Sequence, residues 1–367
     1  MPSLFDPVDF GPALHLPNRI LMAPLTRGRA TREGVPTAIM ADYYRQRAEA
    51  GLIISEGTGI SREGLGWPGA PGLWSEEQVE GWKPVTEAVH AAGGRIVAQL
   101  WHMGRMVHSD VTGMPPLAPS AITPPGEAHT YAGKKPFEEP RAATADDIAR
   151  TLDDYDRAAR NAIRAGFDGV QIHGANGYLI DEFLRDSSNR RDDDYGGPIA
   201  NRVRFLREVT ERVAAAAGVE RTGVRLSPNG EVNGADDSNH VALFTEAARV
   251  LDDIGIPWLE MREPGPQASF RPTEQEPVSP YIRKVFRGKL VLNSDYKLDS
   301  ARARLAEGVA DAISFGRTFI ANPDLVRRLR EGAPLNRWDA DTFYTPGPEG
   351  YVDYPTLEEL EGAAAHS

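Results

Sequence analysis

Seven polar or aromatic side chains stand near the ends of short apolar runs, where folding could gather them into one site. They are Thr26, Gln99, Trp101, His173, Asn176, Tyr178 and Arg225. His173 and Asn176 are hydrogen-bond donors three positions apart, and the phenol of Tyr178 follows two positions later. Two such donors can converge on one oxygen atom if the segment turns into a helix. The alternative, a histidine packed in the protein interior, is disfavoured because three polar groups cluster.

Arg225 is the second chemical signal, because it lies in the middle of the apolar run Gly223-Val224-Arg225-Leu226-Ser227. A buried arginine usually pairs with a carboxylate, yet this run offers no adjacent acid. We therefore expect a bound anionic or electron-rich ligand to satisfy the guanidinium.

These residues are positioned by eight apolar runs with amphipathic segments between them, a pattern typical of buried parallel strands that alternate with helices. The predicted strands are Asn18 to Leu25, Gly51 to Gly57, Arg95 to Trp101, Gly169 to Gly174, Arg221 to Ser227, Pro257 to Glu263, Lys289 to Ser294 and Ala312 to Arg317. The helical segments include Pro36 to Ala50, Ser75 to Ala92, Thr144 to Ala165, Pro198 to Ala217 and Asn239 to Ile254. Two of these helices begin with capping-box pairs, Ser75 with Gln78 and Thr144 with Asp147.

The 367 residues could form two ordinary domains or one large barrel. Eight consecutive β–α units favour an α/β fold, a single (β/α)8 TIM barrel over residues 1–355. The proline-rich segment of about 102–143 after the third strand is predicted to be a lid insertion, and residues 356–367 a C-terminal tail. The carboxyl ends of barrel strands meet at one mouth, which explains why the polar side chains follow the strands.

Composition excludes several classes of protein. The chain has no Cys, so it has no disulfide framework, thiolate metal site or thiol nucleophile. It carries 41 basic and 53 acidic residues, a net charge of −12 that disfavours nucleic acid. No apolar run reaches the length of a membrane span and no basic leader precedes the first strand, so we expect no membrane contact and a cytoplasmic location.

Two further motifs bear on cofactor binding. Gly64 to Gly69 matches GxGxxG, but Trp67 and Pro68 forbid the helix that a dinucleotide fingerprint requires, so an irregular loop is predicted. Ser294-Asp295 and Gly316-Arg317 follow the seventh and eighth strands, where many barrels bind phosphate. This position favours a phosphorylated cofactor, although phosphate sites of this kind also hold phosphorylated substrates. No metal-binding motif is present.

Taken together, the motifs resemble the Old Yellow Enzyme family of flavin-dependent ene-reductases over nearly the whole chain. The matching segments are 18–19, 23–27, 69–72, 99–105, 173–179, 189–197, 315–317, 321–325 and 350–355. The resemblance implies an eight-stranded barrel that holds FMN without covalent attachment. NAD(P)H would reduce the flavin, which would then pass hydride to an activated alkene.

The resemblance also implies roles for residues. The cofactor would be bound by Pro24, Leu25, Thr26, Gly57, Gln99, Arg225, Ser294, Asp295, Gly316 and Arg317. His173 and Asn176 would grip the carbonyl or nitro oxygen of the substrate, and Tyr178 would protonate its α-carbon. Trp67, Trp101 and Tyr351 would line the substrate pocket together with that pair. Trp67 and Arg262 depart from the Tyr and Ser that relatives commonly carry.

The predicted partners are a small activated alkene and NAD(P)H, in a monomer or homodimer. Two alternatives remain open at this point. The same residues could reduce nitrate esters or nitroaromatics, or the barrel could be a non-redox, phosphate-binding lyase or binding protein.

Overall fold

The computed structural model describes residues 2–365, and in it the predicted barrel is confirmed. Eight parallel strands form a closed ring in which each pairs with the next along the chain and the last pairs with the first. They are β1 Ile20–Met22, β2 Leu52–Gly59, β3 Ile96–Trp101, β4 Gly169–His173, β5 Thr222–Leu226, β6 Trp258–Arg262, β7 Lys289–Asn293 and β8 Ala312–Phe315. Each overlaps the run predicted from sequence.

Eight helices surround the ring. They are α1 Ala38–Arg45, α2 Glu76–Ala91, α3 Ala145–Arg164, α4 Arg204–Ala217, α5 His240–Ile254, α6 Ser279–Val285, α7 Leu298–Ala306 and α8 Leu325–Glu331. Both predicted capping boxes are present: Ser75 Oγ accepts from the Gln78 N–H at 3.3 Å, and Thr144 Oγ1 accepts from the Asp147 N–H at 3.2 Å. The helix predicted over 198–217 is divided into Ile199–Arg202 and α4.

The remaining helices and strands are mostly shorter. They are the strands Val8–Asp9, His15–Leu16, Leu117–Ala118, Glu127–Thr130, Gly133–Pro136 and Arg141–Ala142, the helices Ser109–Thr112, Leu179–Leu184, Arg317–Ala321 and Leu357–Ala365, and the 3-10 turns Gly104–Met106, Val219–Arg221 and Ala340–Thr342. Between residues 2 and 365, none of the helices combines the length and the apolar character that crossing a bilayer would require.

The segment after β3 folds as a small subdomain. Glu127–Thr130 and Gly133–Pro136 form an antiparallel hairpin, and Leu117–Ala118 pairs with Arg141–Ala142 at the base of the excursion. The hairpin reaches the mouth of the barrel, where the hydroxyl of Tyr131 accepts the N–H of Gly69 at 3.3 Å.

The C-terminal tail predicted at 356–367 is helical in the part that the structure describes. Leu357–Ala365 is a helix, and residues 366–367 lie outside the described range. Thr356 and Glu359 cap its first turn, and the Leu357 N–H donates to Asp324 Oδ2 at 2.7 Å. Burial of the Leu357 side chain adds an apolar anchor, so this segment packs on the barrel.

The barrel interior is stacked in layers because inward-facing residues recur at every second position of a strand. The lowest layer is apolar and includes Leu21, Leu52, Ile54, Val97, Trp258, Val291 and Ala312, closed below by Phe10 of the N-terminal segment. The middle layer is polar and buried, with Gln99, Gln171, Glu260 and Ser314. This arrangement leaves the upper end of the barrel for the site.

Candidate active site

A polar cavity opens at the carboxyl ends of β1 to β5. Its walls consist of Pro24, Thr26, Gly57, Gln99, Trp101, His173, Asn176, Tyr178 and Arg225. The cavity holds about 380 Å³ of empty space and is partly open to solvent. All nine are residues singled out from the sequence, so the fold brings together side chains up to about 200 positions apart in the chain.

Strand pairing sets the neighbours within this wall. Gln99 lies opposite Gln171 on the adjacent strand, and His173 lies opposite Arg225. Because side chains alternate along a strand, Trp101 points the same way as Gln99. The register therefore places an amide row beneath an upper row of aromatic and charged groups.

Gly57 allows the close approach of an aromatic wall. A Cβ atom at this position would lie 2.5 Å from Cε3 of Trp101, well inside van der Waals contact. The indole is nearly parallel to the His173 imidazole, with centroids 6.0 Å apart and planes at 15°. Tyr178 meets the indole edge-on, with centroids 5.0 Å apart. Trp101 therefore fixes the orientation of both neighbouring rings.

His173 is a neutral hydrogen-bond donor. Its Nδ1 accepts the N–H of Ala175 at 3.3 Å, which places the ring proton on Nε2. Burial, together with the positive charge of Arg225, lowers the pKa of His173 to about 3. The imidazole thus donates from Nε2 without carrying a charge at neutral pH.

Asn176 is held by its backbone and leaves its side chain available. Its φ of 60° lies in the left-handed region, where asparagine is more readily accommodated than most residues. The Asn176 N–H donates to Ser227 Oγ at 2.8 Å, and its carbonyl accepts from Asn233 Nδ2 at 2.9 Å. Among the described residues its buried Oδ1 has no partner, so this amide oxygen is left as an acceptor for a ligand.

Tyr178 precedes the helix Leu179–Leu184, so its ring is fixed at the start of a helical turn. Burial raises the pKa of the Tyr178 phenol above its ordinary value, and the nearby phenol of Tyr344 raises it further. Tyr178 therefore keeps its proton at neutral pH and is suited to act as an acid.

Arg225 corrects one expectation from the sequence, because the protein itself supplies a carboxylate. Its Nη1 lies 2.6 Å from Oε1 of Glu260 on β6, and its Nη2 donates to Asn293 Oδ1 at 2.9 Å. Glu260 is directly opposite Arg225 in the strand register, 35 positions away in the chain. The buried Nε has no partner in the part of the chain that the structure describes, so a donor remains for a ligand.

Glu260 and Gln171 were not among the site residues predicted from the sequence. Both face the interior, and the period of two along a strand could have identified them. Gln171 stands two positions before His173, and Glu260 stands two positions before Arg262.

The four predicted phosphate-site residues, Ser294, Asp295, Gly316 and Arg317, lie at the ends of β7 and β8, and Gly316 lies beside Leu25. A Cβ on Gly316 would lie 3.4 Å from Leu25 Cδ2. The carboxylate of Asp295, next to Ser294, accepts from the Ser269 N–H at 2.6 Å and from Arg317 Nη2 at 2.6 Å. Burial alone would raise the pKa of Asp295, but these hydrogen bonds and the Arg317 charge hold it below its usual value. The carboxylate of Asp295 thus already pairs with Arg317 at the place where a phosphate is expected.

Arg262 is turned toward the loop that follows β6. Its Nη2 donates to the Phe270 carbonyl at 2.9 Å, and its guanidinium lies 5.0 Å from the Phe270 ring centroid. Burial, reinforced by the charge of Arg225, lowers the pKa of Arg262 to about 10.

Trp67 lies at an aromatic mouth above the cavity. Its ring centroid is 4.5 Å from that of His129 on the lid hairpin and 5.0 Å from that of Tyr344. Tyr344 is half-exposed. Neither His129 nor Tyr344 was identified from the sequence.

The prediction that Tyr351 lines the substrate pocket is wrong. Tyr351 is fully buried and stacks on Tyr43 of α1, with centroids 4.1 Å apart and planes at 7°. The guanidinium of Arg29 lies 4.4 Å from its ring centroid. This stack belongs to the packing of the C-terminal segment, whereas Tyr344, seven positions earlier, lies near Tyr178.

The donor set fits FMN. Within residues 2–365 the buried atoms Arg225 Nε, Trp101 Nε1 and Asn176 Oδ1 lack hydrogen-bond partners, as expected where a polar ring system binds. Thr26, Gln99 and Arg225 would hold the isoalloxazine, and Arg317 would bind the phosphate. Within the described residues there is no group of three or more His, Cys, Asp or Glu side chains that could hold a metal ion.

Comparison with known proteins agrees with this geometry. Residues 3–336 match the model of the NADH:flavin oxidoreductase / NADH oxidase family. A putative 12-oxophytodienoate reductase 2 of Oryza sativa subsp. japonica is 42% identical over 98% of this chain and 95% of its own.

Solved structures with a similar fold come from the same family. An old yellow enzyme homologue from Zymomonas mobilis is 62% identical, with a TM-score of 0.96, covering 97% of this chain and 100% of its own. Morphinone reductase in complex with tetrahydroNAD is 45% identical, with a TM-score of 0.91 and coverage of 97% and 98%. The chain therefore belongs to the Old Yellow Enzyme family of FMN-dependent NADH:flavin oxidoreductases.

Proposed function

We propose that this protein is an ene-reductase that saturates alkenes activated by a carbonyl or nitro group. When bound, FMN supplies the chemistry of hydride transfer, taking hydride from NAD(P)H and delivering it to the β-carbon of the alkene. The chain's own residues bind the activating oxygen, orient the alkene and deliver the matching proton.

The observation that carries the proposal is the packing of neutral His173 against protonated Tyr178, beside the free amide of Asn176. Hydride addition at the β-carbon moves negative charge onto the activating oxygen. The Nε2–H of His173 and the amide of Asn176 are donors that need no rearrangement to meet that charge. Each such donor contributes about 10²–10³ in rate.

Tyr178 completes the addition by giving its proton to the α-carbon, a step worth typically about 10²–10⁴ in rate. The alkene gains one hydride and one proton, and the phenolate regains its proton from solvent. Trp101 holds the imidazole and phenol rings in place, while Trp67, His129 and Tyr344 form the aromatic entrance.

NAD(P)H is proposed to enter the same cavity, because its nicotinamide must reach the same flavin face as the alkene. Support comes from the morphinone reductase that binds tetrahydroNAD and has the same fold. The non-redox barrel alternative is set aside because the chain belongs to an oxidoreductase family. Reduction of nitrate esters or nitroaromatics would use the same donors.

Separate measurement of the two half-reactions tests the proposal. Purified holoenzyme is reduced anaerobically with NADH or NADPH and then mixed with an enone, a nitroalkene, a nitrate ester or a nitroaromatic. We expect flavin reoxidation by the enone and nitroalkene with formation of the saturated product. A reduced enzyme that reacts with the nitrate ester, the nitroaromatic or oxygen, but with neither the enone nor the nitroalkene, would contradict the assignment.

A further inference from the structure

A row of hydrogen bonds, extended by an ion pair, lies directly beneath the cavity and joins two of its walls. Gln99 Nε2 donates to Gln171 Oε1 at 2.8 Å, and Gln171 Nε2 donates to Glu260 Oε2 at 2.8 Å. The other carboxylate oxygen of Glu260 contacts Arg225 Nη1 at 2.6 Å and accepts from Ser314 Oγ at 2.5 Å. Glu260, which is fully buried, is therefore connected to both Gln99 and Arg225.

The Glu260 carboxylate determines which way the amide groups of Gln171 and Gln99 are turned. An ionised carboxylate only accepts hydrogen bonds, so Gln171 must turn its NH2 group toward Glu260 and its carbonyl toward Gln99. Gln99 must then turn its own NH2 group toward Gln171, which leaves the Gln99 carbonyl oxygen as a free acceptor. The cavity edge consequently offers an acceptor at Gln99 and a donor at Arg225.

The same carboxylate offsets the charge of Arg225. Gln171 and Ser314, its other partners, are neutral, and Asn293, the second partner of Arg225, is neutral as well. Removing one member of a buried ion pair leaves the other charge uncompensated in a medium that screens it weakly.

We propose that Glu260 is a positioning residue that sets both the charge and the hydrogen-bond polarity of the surface that receives the FMN ring. This inference rests on the proposed placement of the isoalloxazine between Gln99 and Arg225. Arg225 beside Glu260 favours the anionic reduced flavin less strongly than an unpaired guanidinium would. The acceptor at Gln99 and the donor at Arg225 together select a ring edge that carries both N–H and C=O groups.

Two substitutions separate these effects. In Glu260→Gln the guanidinium loses its counter-charge, so we expect the ratio of affinities for reduced over oxidised FMN to rise at least tenfold, about 30 mV for a two-electron couple. In Gln171→Leu the charge is kept but Gln99 loses its partner. We expect both oxidation states to bind about tenfold more weakly, with no change in the midpoint potential.

The midpoint potential is measured by anaerobic reductive titration of the holoenzyme against a reference dye, and FMN affinity by fluorescence on refilling the apoenzyme. Glu263→Gln is the matched control, because Glu263 lies just beyond the same strand but caps α6 through the Val278 and Ser279 N–H groups. Its potential should equal that of wild type.

A second comparison keeps the test decisive if the single variant does not fold. In an Arg225→Gln background the Glu260 carboxylate is left uncompensated beside the flavin, and adding Glu260→Gln removes that negative charge. We expect the midpoint potential of Arg225→Gln to lie below that of wild type, and the double variant to raise it again by about 30 mV or more. An unchanged midpoint potential in folded Glu260→Gln, or equal midpoint potentials in Arg225→Gln and the double variant, would overturn the proposal. These readouts use no alkene, so failure of alkene reduction would reject the proposed function and leave this inference standing.

Discussion

The ring of Tyr178 meets the ring of His173 edge-on, with centroids 5.1 Å apart and planes at 84°. The imidazole is a neutral donor from Nε2, and the phenol is an acid that keeps its proton. Burial, which disfavours the charged form of each group, has opposite effects on their pKa values, lowering that of His173 and raising that of Tyr178. Burial of both rings thus keeps the imidazole neutral, as a donor to oxygen, and keeps the phenol protonated.

Tyr178→Phe should separate the two half-reactions. The variant loses the acid but keeps the ring that packs on Trp101, so we expect alkene reduction to slow by about 10²–10⁴-fold. Reduction of the flavin by NAD(P)H needs no proton from Tyr178 and should keep its rate. Stopped-flow measurement of each half-reaction provides the check, and equal slowing of both would contradict the acid role.

His173→Ala should slow alkene reduction by about 10²–10³-fold, whereas His173→Asn, which retains a side-chain donor, should lose less. Because the pKa of His173 is about 3, the imidazole stays neutral throughout pH 5–8. The wild-type rate of flavin reoxidation by alkene should therefore show no inflection near pH 6.5. An inflection there that disappears in His173→Asn would show that the protonated imidazole takes part.

Gly57→Ala should disturb the flavin wall. The added methyl group would lie 2.5 Å from Cε3 of Trp101. Because the indole is rigid, the whole ring must move to relieve this contact. We expect a loss of about 1–3 kcal/mol in unfolding free energy and less than one FMN per chain after purification. Gly265→Ala is a suitable control, since a Cβ there meets nothing within 4 Å.

Glu56→Gln should alter the pH dependence of stability. Glu56 accepts the Tyr44 hydroxyl at 2.9 Å, and burial raises the pKa of its carboxyl to about 7 from an ordinary 4.5. A raised acid pKa stabilises the fold fully below pH 4.5, and this contribution of about 3 kcal/mol is lost as the pH rises through 7.

The variant lacks this titration, so its unfolding free energy relative to wild type should increase by up to about 3 kcal/mol between pH 4.5 and 8. Urea unfolding of the two apoproteins across that range measures the difference. A constant difference at all pH values would mean that Glu56 titrates normally.

Asp295 and Arg317 should act in opposite directions on FMN binding. Arg317→Ala removes a charge-assisted hydrogen bond to phosphate, so FMN affinity should fall about 10- to 100-fold. Asp295→Asn removes a carboxylate that already occupies Arg317, so FMN affinity should rise. Riboflavin, which lacks the phosphate, serves as the control ligand, and both variants should bind it like wild type. An equal change for both flavins would place these residues outside the phosphate site.

The barrel and the nine residues that line its cavity could be predicted from the sequence. Short apolar runs and capped amphipathic helices depend on neighbours within a few residues, so local patterns along the chain reveal them. The same locality explains why His173, Asn176 and Tyr178 could be recognised as a group, because they share one strand end and its loop.

The partners of those residues depend on the folded structure. The Arg225–Glu260 pair depends on the register of two strands, and no run of sequence records which carboxylate a barrel places opposite a guanidinium. Likewise, Tyr344 and Tyr351 lie seven positions apart in one loop, and only packing on Tyr43 decides that Tyr351 is buried in the core while Tyr344 lies near the cavity. Contacts of this kind arise from long-range packing, which local periodicity does not encode.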